Sequence, residues 1–270
     1  MKKASFILIL CLLFSSLTIV VAQTTPATST NNHNQPANNT ASRFEGLVTY
    51  ERTMQWSKLQ QRATYLSQEQ KDRMQQTGKN WGGYKILMNL YFSPSRSLYT
   101  YTNDRAESED GRYTWRPDTY LVARDFKNST ATEQHEMIDN LYLLTDSLRP
   151  PKWRIMNEIK DINGYVCMKA VLDDSIRNQK VTAWFTDAIP VSAGPERYFG
   201  LPGLILEVMV NDGDVLITAQ SINFQNVSSQ LKLPKKLKGK KVNEAQFNQL
   251  ITNYIAESAS MRRFPSAIRY

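Results

Sequence analysis

The sequence predicts an α+β domain made mainly of antiparallel strands: a curved meander sheet or half-open β-barrel, with short helices near its start and an amphipathic helix near its end. Three observations carry this expectation. Short apolar and aromatic runs recur from Phe44 onward between turn residues, the pattern of strands joined by tight turns. Asn163-Gly164 and Asp212-Gly213 can supply the positive backbone angles that hairpins need. Near the end the period changes, and Phe247, Leu250, Ile251, Tyr254 and Ile255 take the spacing of one helix face.

Lys2 and Lys3 precede an apolar run from Phe6 to Val21 that closes on Ala22, so residues 1–22 are expected to be a cleaved secretory signal. Cleavage would lower the formal charge of +8 by two and remove Cys11. Cys167 would then stand alone and could form no intrachain disulfide. Residues 23–41, rich in Thr, Asn, Ser and Pro, lack an apolar period and are expected to form a polar tether. The domain is expected over residues 42–257, with a C-terminal tail over 258–270.

Within the domain, "RFEGLVTYERT" (Arg43–Thr53) reads as a first strand. Ser57/Gln60 and Ser67/Gln70 have capping-box spacing, which predicts one or two short helices before Trp81-Gly82-Gly83. Strands follow in "YKILMNLYFSP", "SLYTYTN", "YTWRPDTYLVARDF" and "NLYLLTD". Two hairpins and "KVTAWFTD" complete the sheet. Asn243, with Gln246 three residues on, caps the last helix.

Several chemistries lack their motifs. His33 falls in the tether, leaving His135 as the histidine of the folded part. No His-Glu-x-x-His, paired Cys-x-x-Cys, Gly-x-Ser-x-Gly or phosphate-binding glycine loop occurs, so no metal, cofactor or catalytic residue is assigned. Lys235, Lys236, Lys238, Lys240 and Lys241 form a basic run suited to peripheral contact with an anionic membrane surface. Export argues against nucleic acid as its partner. Tyr91, Tyr99, Tyr101, Tyr113, Trp115 and Tyr120 could line a ligand groove or pack across strands.

The segment Thr186–Gly203 holds three prolines and three glycines. Within it Leu201-Pro202-Gly203-Leu204 matches a type II turn. In the strand after it, Glu207 interrupts a face that is otherwise apolar and needs a partner such as Arg197 or Lys169 if buried. The candidate ligand contacts are Arg197, Phe199, Gly200, Leu201, Pro202, Gly203 and Glu207.

"GPERYFGLPGLILEV" resembles the signature of the GLPGLI family, exported proteins of Gram-negative bacteria, with Gly200 to Ile205 matching its naming motif. The resemblance extends over about Phe44 to Phe247, through "WRIMNEIKDINGYVCMKAV", "VTAWFTDAIPVSAGPERYFGLPG" and "KGKKVNEAQF". It implies export to the periplasm or outer surface and a β-rich domain, with no established activity. It also implies an envelope partner such as outer-membrane transport machinery. The expected function is a non-catalytic binding or carrier protein for a hydrophobic ligand, lipid-like or peptide. The alternatives are an accessory of an outer-membrane complex and a carboxylate-dependent hydrolase around Glu207 and Glu196.

Overall fold

The structure, a computed structural model, describes residues 44–78, 84–103, 106–107, 114–115 and 117–270. The expected signal segment, the tether and Tyr113 lie outside the described residues.

Strand β1 (Gly46–Met54) sits in the middle of a 12-stranded sheet. On one side follow β2 (Tyr84–Phe92), β3 (Arg96–Tyr101), β6 (Tyr120–Asp125), β7 (Thr130–Met137) and β8 (Asn140–Ser147). On the other lie β13 (Val215–Phe224), β12 (Leu204–Val210), β11 (Gln179–Thr186), β10 (Tyr165–Asp174) and β9 (Arg154–Ile162). Two short strands, β4 (Ala106–Glu107) and β5 (Thr114–Trp115), pair separately. β14 (Lys240–Val242) joins β8 in parallel, and the other described pairs are antiparallel. The sheet is thus two meanders meeting at the first strand, and it is open.

Its curvature follows from one connection. β8 and β9 are ten places apart in the strand order, so a flat sheet would separate them by about 48 Å. Residues 148–153 join them directly, and the steps from Ser147 to Arg154 reach at most about 25 Å. The sheet must therefore curl until its two ends approach. The half-open form expected from the sequence is what this short link requires.

The strands alternate as their sequences dictate. Along β1 every second residue is buried, from Gly46 through Val48, Tyr50 and Arg52 to Met54. Both hairpin turns form: Asn163 and Gly164 adopt φ of 53° and 79°, and Asp212 and Gly213 adopt 59° and 100°. β7, "TATEQHEM", was not anticipated because its residues are mostly polar.

Helix α1 (Trp56–Arg62) starts two residues too early for Ser57 to cap it, and its N-cap Gln55 makes no side-chain bond. At α2 (Gln68–Gly78) the box closes: Gln70 N donates to Ser67 Oγ at 3.2 Å, and Ser67 N to Gln70 Oε1 at 3.0 Å. Helix α3 (Glu244–Ser260) has a complete capping box at Asn243 and buries Phe247 and Ile251. The basic run stays exposed, with Lys240 and Lys241 on the edge strand β14.

Residues 258–270 correct the expected boundary at 257. Ser258 lies within α3, and Ile268 and Tyr270 are buried in the main apolar cluster. Tyr270 Oη donates to Pro265 O at 2.9 Å. Apolar residues spaced too sparsely for a periodic signal nevertheless find the core.

Candidate functional site

Inside the curl lies a cavity of about 680 Å³, walled by β1, β6, β7, β8, α3, the end of β10, the 148–151 link and the C-terminal segment. Its chemistry comes from charged residues at inward positions of alternating strands. Arg52 follows Val48 and Tyr50, and Arg124 follows Tyr120 and Val122. In β7, Glu133 and His135 precede Met137 on the same face.

The Pro/Gly segment supplies the rest. Glu196 is 1% exposed and takes a left-handed φ of 51°. Its Oε1 lies 2.8 Å from Arg52 Nε and 2.7 Å from Arg269 Nε, while its main-chain oxygen accepts from Arg124 Nη2. Burial opposes ionisation of Glu196, but Arg269, Arg52 and Arg197 outweigh it and bring the carboxyl down to about 2. Arg197 reaches Asp174 Oδ2 at 3.2 Å and Gln179 Oε1 at 2.9 Å. Phe199 lies beneath the Arg124 guanidinium, whose carbon is 4.5 Å from the ring centre. The Phe199 carbonyl accepts from Trp153 Nε1 at 2.8 Å. That bond ties the segment to the start of β9.

An aromatic ladder backs the cluster. Tyr50, Tyr99, Tyr120, His135 and Phe247 meet in turn at centroid distances of 6.2, 6.2, 4.9 and 4.9 Å. Arg269 stacks over Tyr120 at 3.8 Å and donates to Tyr101 Oη at 3.1 Å. His135 Nε2 is 2.7 Å from Glu133 Oε2. Burial opposes ionisation of Glu133, and the bond to His135 with the charges of Arg124 and Arg177 holds its carboxyl low. Of the expected aromatic groove, Tyr101 and Tyr120 line the cavity and Tyr99 is buried in the ladder. Tyr91 lies on the opposite face, beside Asn89.

The candidate ligand contacts divide. Arg197 and Phe199 line the cavity. Gly200 and Gly203 are structural: a Cβ would lie 2.5 Å from Pro150 Cβ at the first and 2.0 Å from Thr186 O at the second. Leu201 is buried core and Pro202 is exposed. The expected type II turn does not form. Gly203 N donates to Leu201 O at 2.8 Å, a tighter turn around Pro202, and Leu204 N donates to Ile189 O.

Glu207 is a further correction. It pairs across the sheet with Trp184 and Thr218, and Thr218 pairs with Glu51. Arg52 is the neighbour of Glu51 and faces the cavity, so Glu207 points the other way. Its partner is neither Arg197 nor Lys169 but Lys160, whose Nζ is 2.6 Å from Oε1. Because Glu196 and Glu207 lie on opposite faces, the expected pair of hydrolytic carboxylates is not assembled. Cys167 is buried, and burial raises its thiol to about 11, which suits a core residue. Among the described residues no cluster of three or more His, Cys, Asp or Glu could hold a metal, and no helix is long and apolar enough to cross a membrane.

Sequence reasoning missed Arg52, Arg124, Arg177, Arg269, Glu133 and His135 as members of one site. The available signal was an arginine at an inward position of an alternating strand, as in Tyr50-x-Arg52-x-Met54 and Val122-x-Arg124.

The comparisons bear on this segment. A family model described as a protein of unknown function (Porph_ging) matches residues 173–207, which include Asp174, Arg177 and the stretch Glu196–Phe199. No curated protein matches the chain. Solved structures of PNGF-II in two space groups are similar in fold: each has a TM-score of 0.51 and 14% identity, covering 77% of this chain. The chain spans about a third of that protein's length, 33% and 32% in the two structures. At this identity the likeness concerns the β-rich fold alone, and over residues 173–207 the chain is similar to an uncharacterised family.

Proposed function

We propose that this chain is an exported, non-catalytic binding protein of the bacterial cell envelope, whose curled sheet holds an amphipathic ligand in its cavity. One observation carries the reading: a cavity of about 680 Å³ is within the range of small-molecule sites and combines two kinds of wall. Met137, Leu144, Phe247 and Ile251 present apolar surface, while Arg124, Arg177 and Arg197 present charge. The hydrophobic cargo expected from sequence, lipid-like or peptide, would without a polar end leave the unpaired donors of Arg124 and Arg177 unsatisfied. Export is supported by Lys2, Lys3 and the apolar run ending at Ala22. The test is mass spectrometry of small molecules released from protein purified out of an envelope fraction. An amphipath in near-stoichiometric amount is expected, and its reproducible absence together with cytoplasmic retention would refute the reading.

A second reading, an accessory of an outer-membrane complex, is favoured by a different feature. β9 ends the sheet, and Ile155, Ile159 and Val166 of the β9–β10 hairpin are 51%, 72% and 63% exposed. An unpaired edge with exposed apolar side chains is suited to strand addition by a partner. Crosslinking from Ile159 in intact cells would give one dominant envelope protein on this reading, and a diffuse smear otherwise.

A further inference from the structure

Within the arginine cluster, Arg124 is the member without a carboxylate. Arg52 and Arg269 share Glu196, and Arg177 and Arg197 share Asp174. Arg124 is 2% exposed and spends Nη2 on the main-chain oxygen of Glu196, while its Nε and Nη1 have no partner. Its neighbouring carboxylate, Glu133, is engaged by His135 at 2.7 Å. Arg177 repeats the pattern on the adjoining wall: Nη1 is 3.2 Å from Asp174 Oδ2, and Nε is buried without a partner. Both residues line the cavity. Idle donors on a buried guanidinium are costly, because each has lost water and gained nothing. Their planar arrangement is matched to the oxygens of a carboxylate or phosphate.

We infer that Arg124, supported by Arg177 and backed by the Phe199 ring, seats the oxyanion end of the cavity's ligand, a single carboxylate or phosphate group. This inference rests on the cavity-binding reading above. Exposed Asp118, Asp173 and Glu244 also line the cavity, and their charge disfavours extended polyanions such as nucleic acid or polyphosphate. One oxyanion group can reach the arginines past them while an apolar chain lies on Leu144, Phe247 and Ile251.

Calorimetric titration of the whole protein with dodecanoate, dodecanol and inorganic phosphate tests this. Dodecanoate is expected to bind about 10- to 100-fold more tightly than dodecanol, as a charge-assisted hydrogen bond predicts. Arg124→Gln should remove that preference by weakening dodecanoate binding, and Arg177→Gln should reduce it in the same direction. Inorganic phosphate that binds alone and is lost in Arg124→Gln would assign the seat to a free anion, and phosphate silence with tight dodecanoate would assign it to an amphipath. Equal binding of dodecanoate and dodecanol by the unsubstituted protein overturns the seat and leaves the cavity reading standing. Binding of none of the three overturns both. The comparison within the unsubstituted protein decides the matter even where Arg124→Gln fails to fold.

Discussion

Glu196 should be the most pH-sensitive contributor to the stability of this domain. It is 1% exposed and bound by Arg52 and Arg269 at 2.8 and 2.7 Å. Its carboxyl falls from 4.5 to about 2 on folding, which corresponds to about 3 kcal/mol of stability. Because the folded value is the lower one, that stability is fully present above about pH 4.5 and is lost as pH falls toward 2. Glu196→Gln removes the charge and leaves two guanidinium groups buried together, for which a loss of about 3–5 kcal/mol is expected. In a domain of this size the melting temperature should drop by roughly 6–20 °C. Urea unfolding of both proteins from pH 7 to pH 3 is the assay. The gap between them should narrow by about 2 kcal/mol at pH 3, because the unfolded carboxyl takes up its proton below about pH 4.5 while the folded one stays ionised. A difference below 1 kcal/mol at neutral pH, or a gap that stays constant across the range, would refute the assignment of Glu196 as the charge holding the two arginines.

Three further expectations follow from packing. Gly203→Ala would place a Cβ 2.0 Å from Thr186 O at φ 156°, and because backbone must move, a loss of about 2–3 kcal/mol is expected in chemical denaturation. Glu207→Gln breaks a pair whose lysine side chain is 36% exposed, so its cost, after solvent screening, should stay near 1 kcal/mol. Because it faces away from the cavity, it should leave ligand affinity in the same titrations unchanged. Ile268→Ala opens a hole beneath a residue that is 6% exposed, for an expected loss of about 2–4 kcal/mol by thermal unfolding. Full stability in that variant would show that the C-terminal segment is not part of the folded unit.

What the sequence by itself determined was everything carried by local spacing. Alternation in β1, the Asn163-Gly164 and Asp212-Gly213 turns and the Asn243 capping box are decided by residues within a few positions of one another, and they formed where the spacing put them. β7 and the C-terminal segment escaped, because polar strand residues and scattered apolar ones carry no period to read. The site lay further from reach. Which face of a strand looks into the cavity depends on the curl imposed by the short 148–153 link, and that placed Glu207 outside and Arg52 inside. The partners of Glu196 stand 144 and 73 residues away in the chain. Attraction between charges acts through space, whereas a periodic pattern reports only neighbours along the chain. The tertiary structure alone decided that Glu196, Arg52, Arg124 and Arg269 would meet.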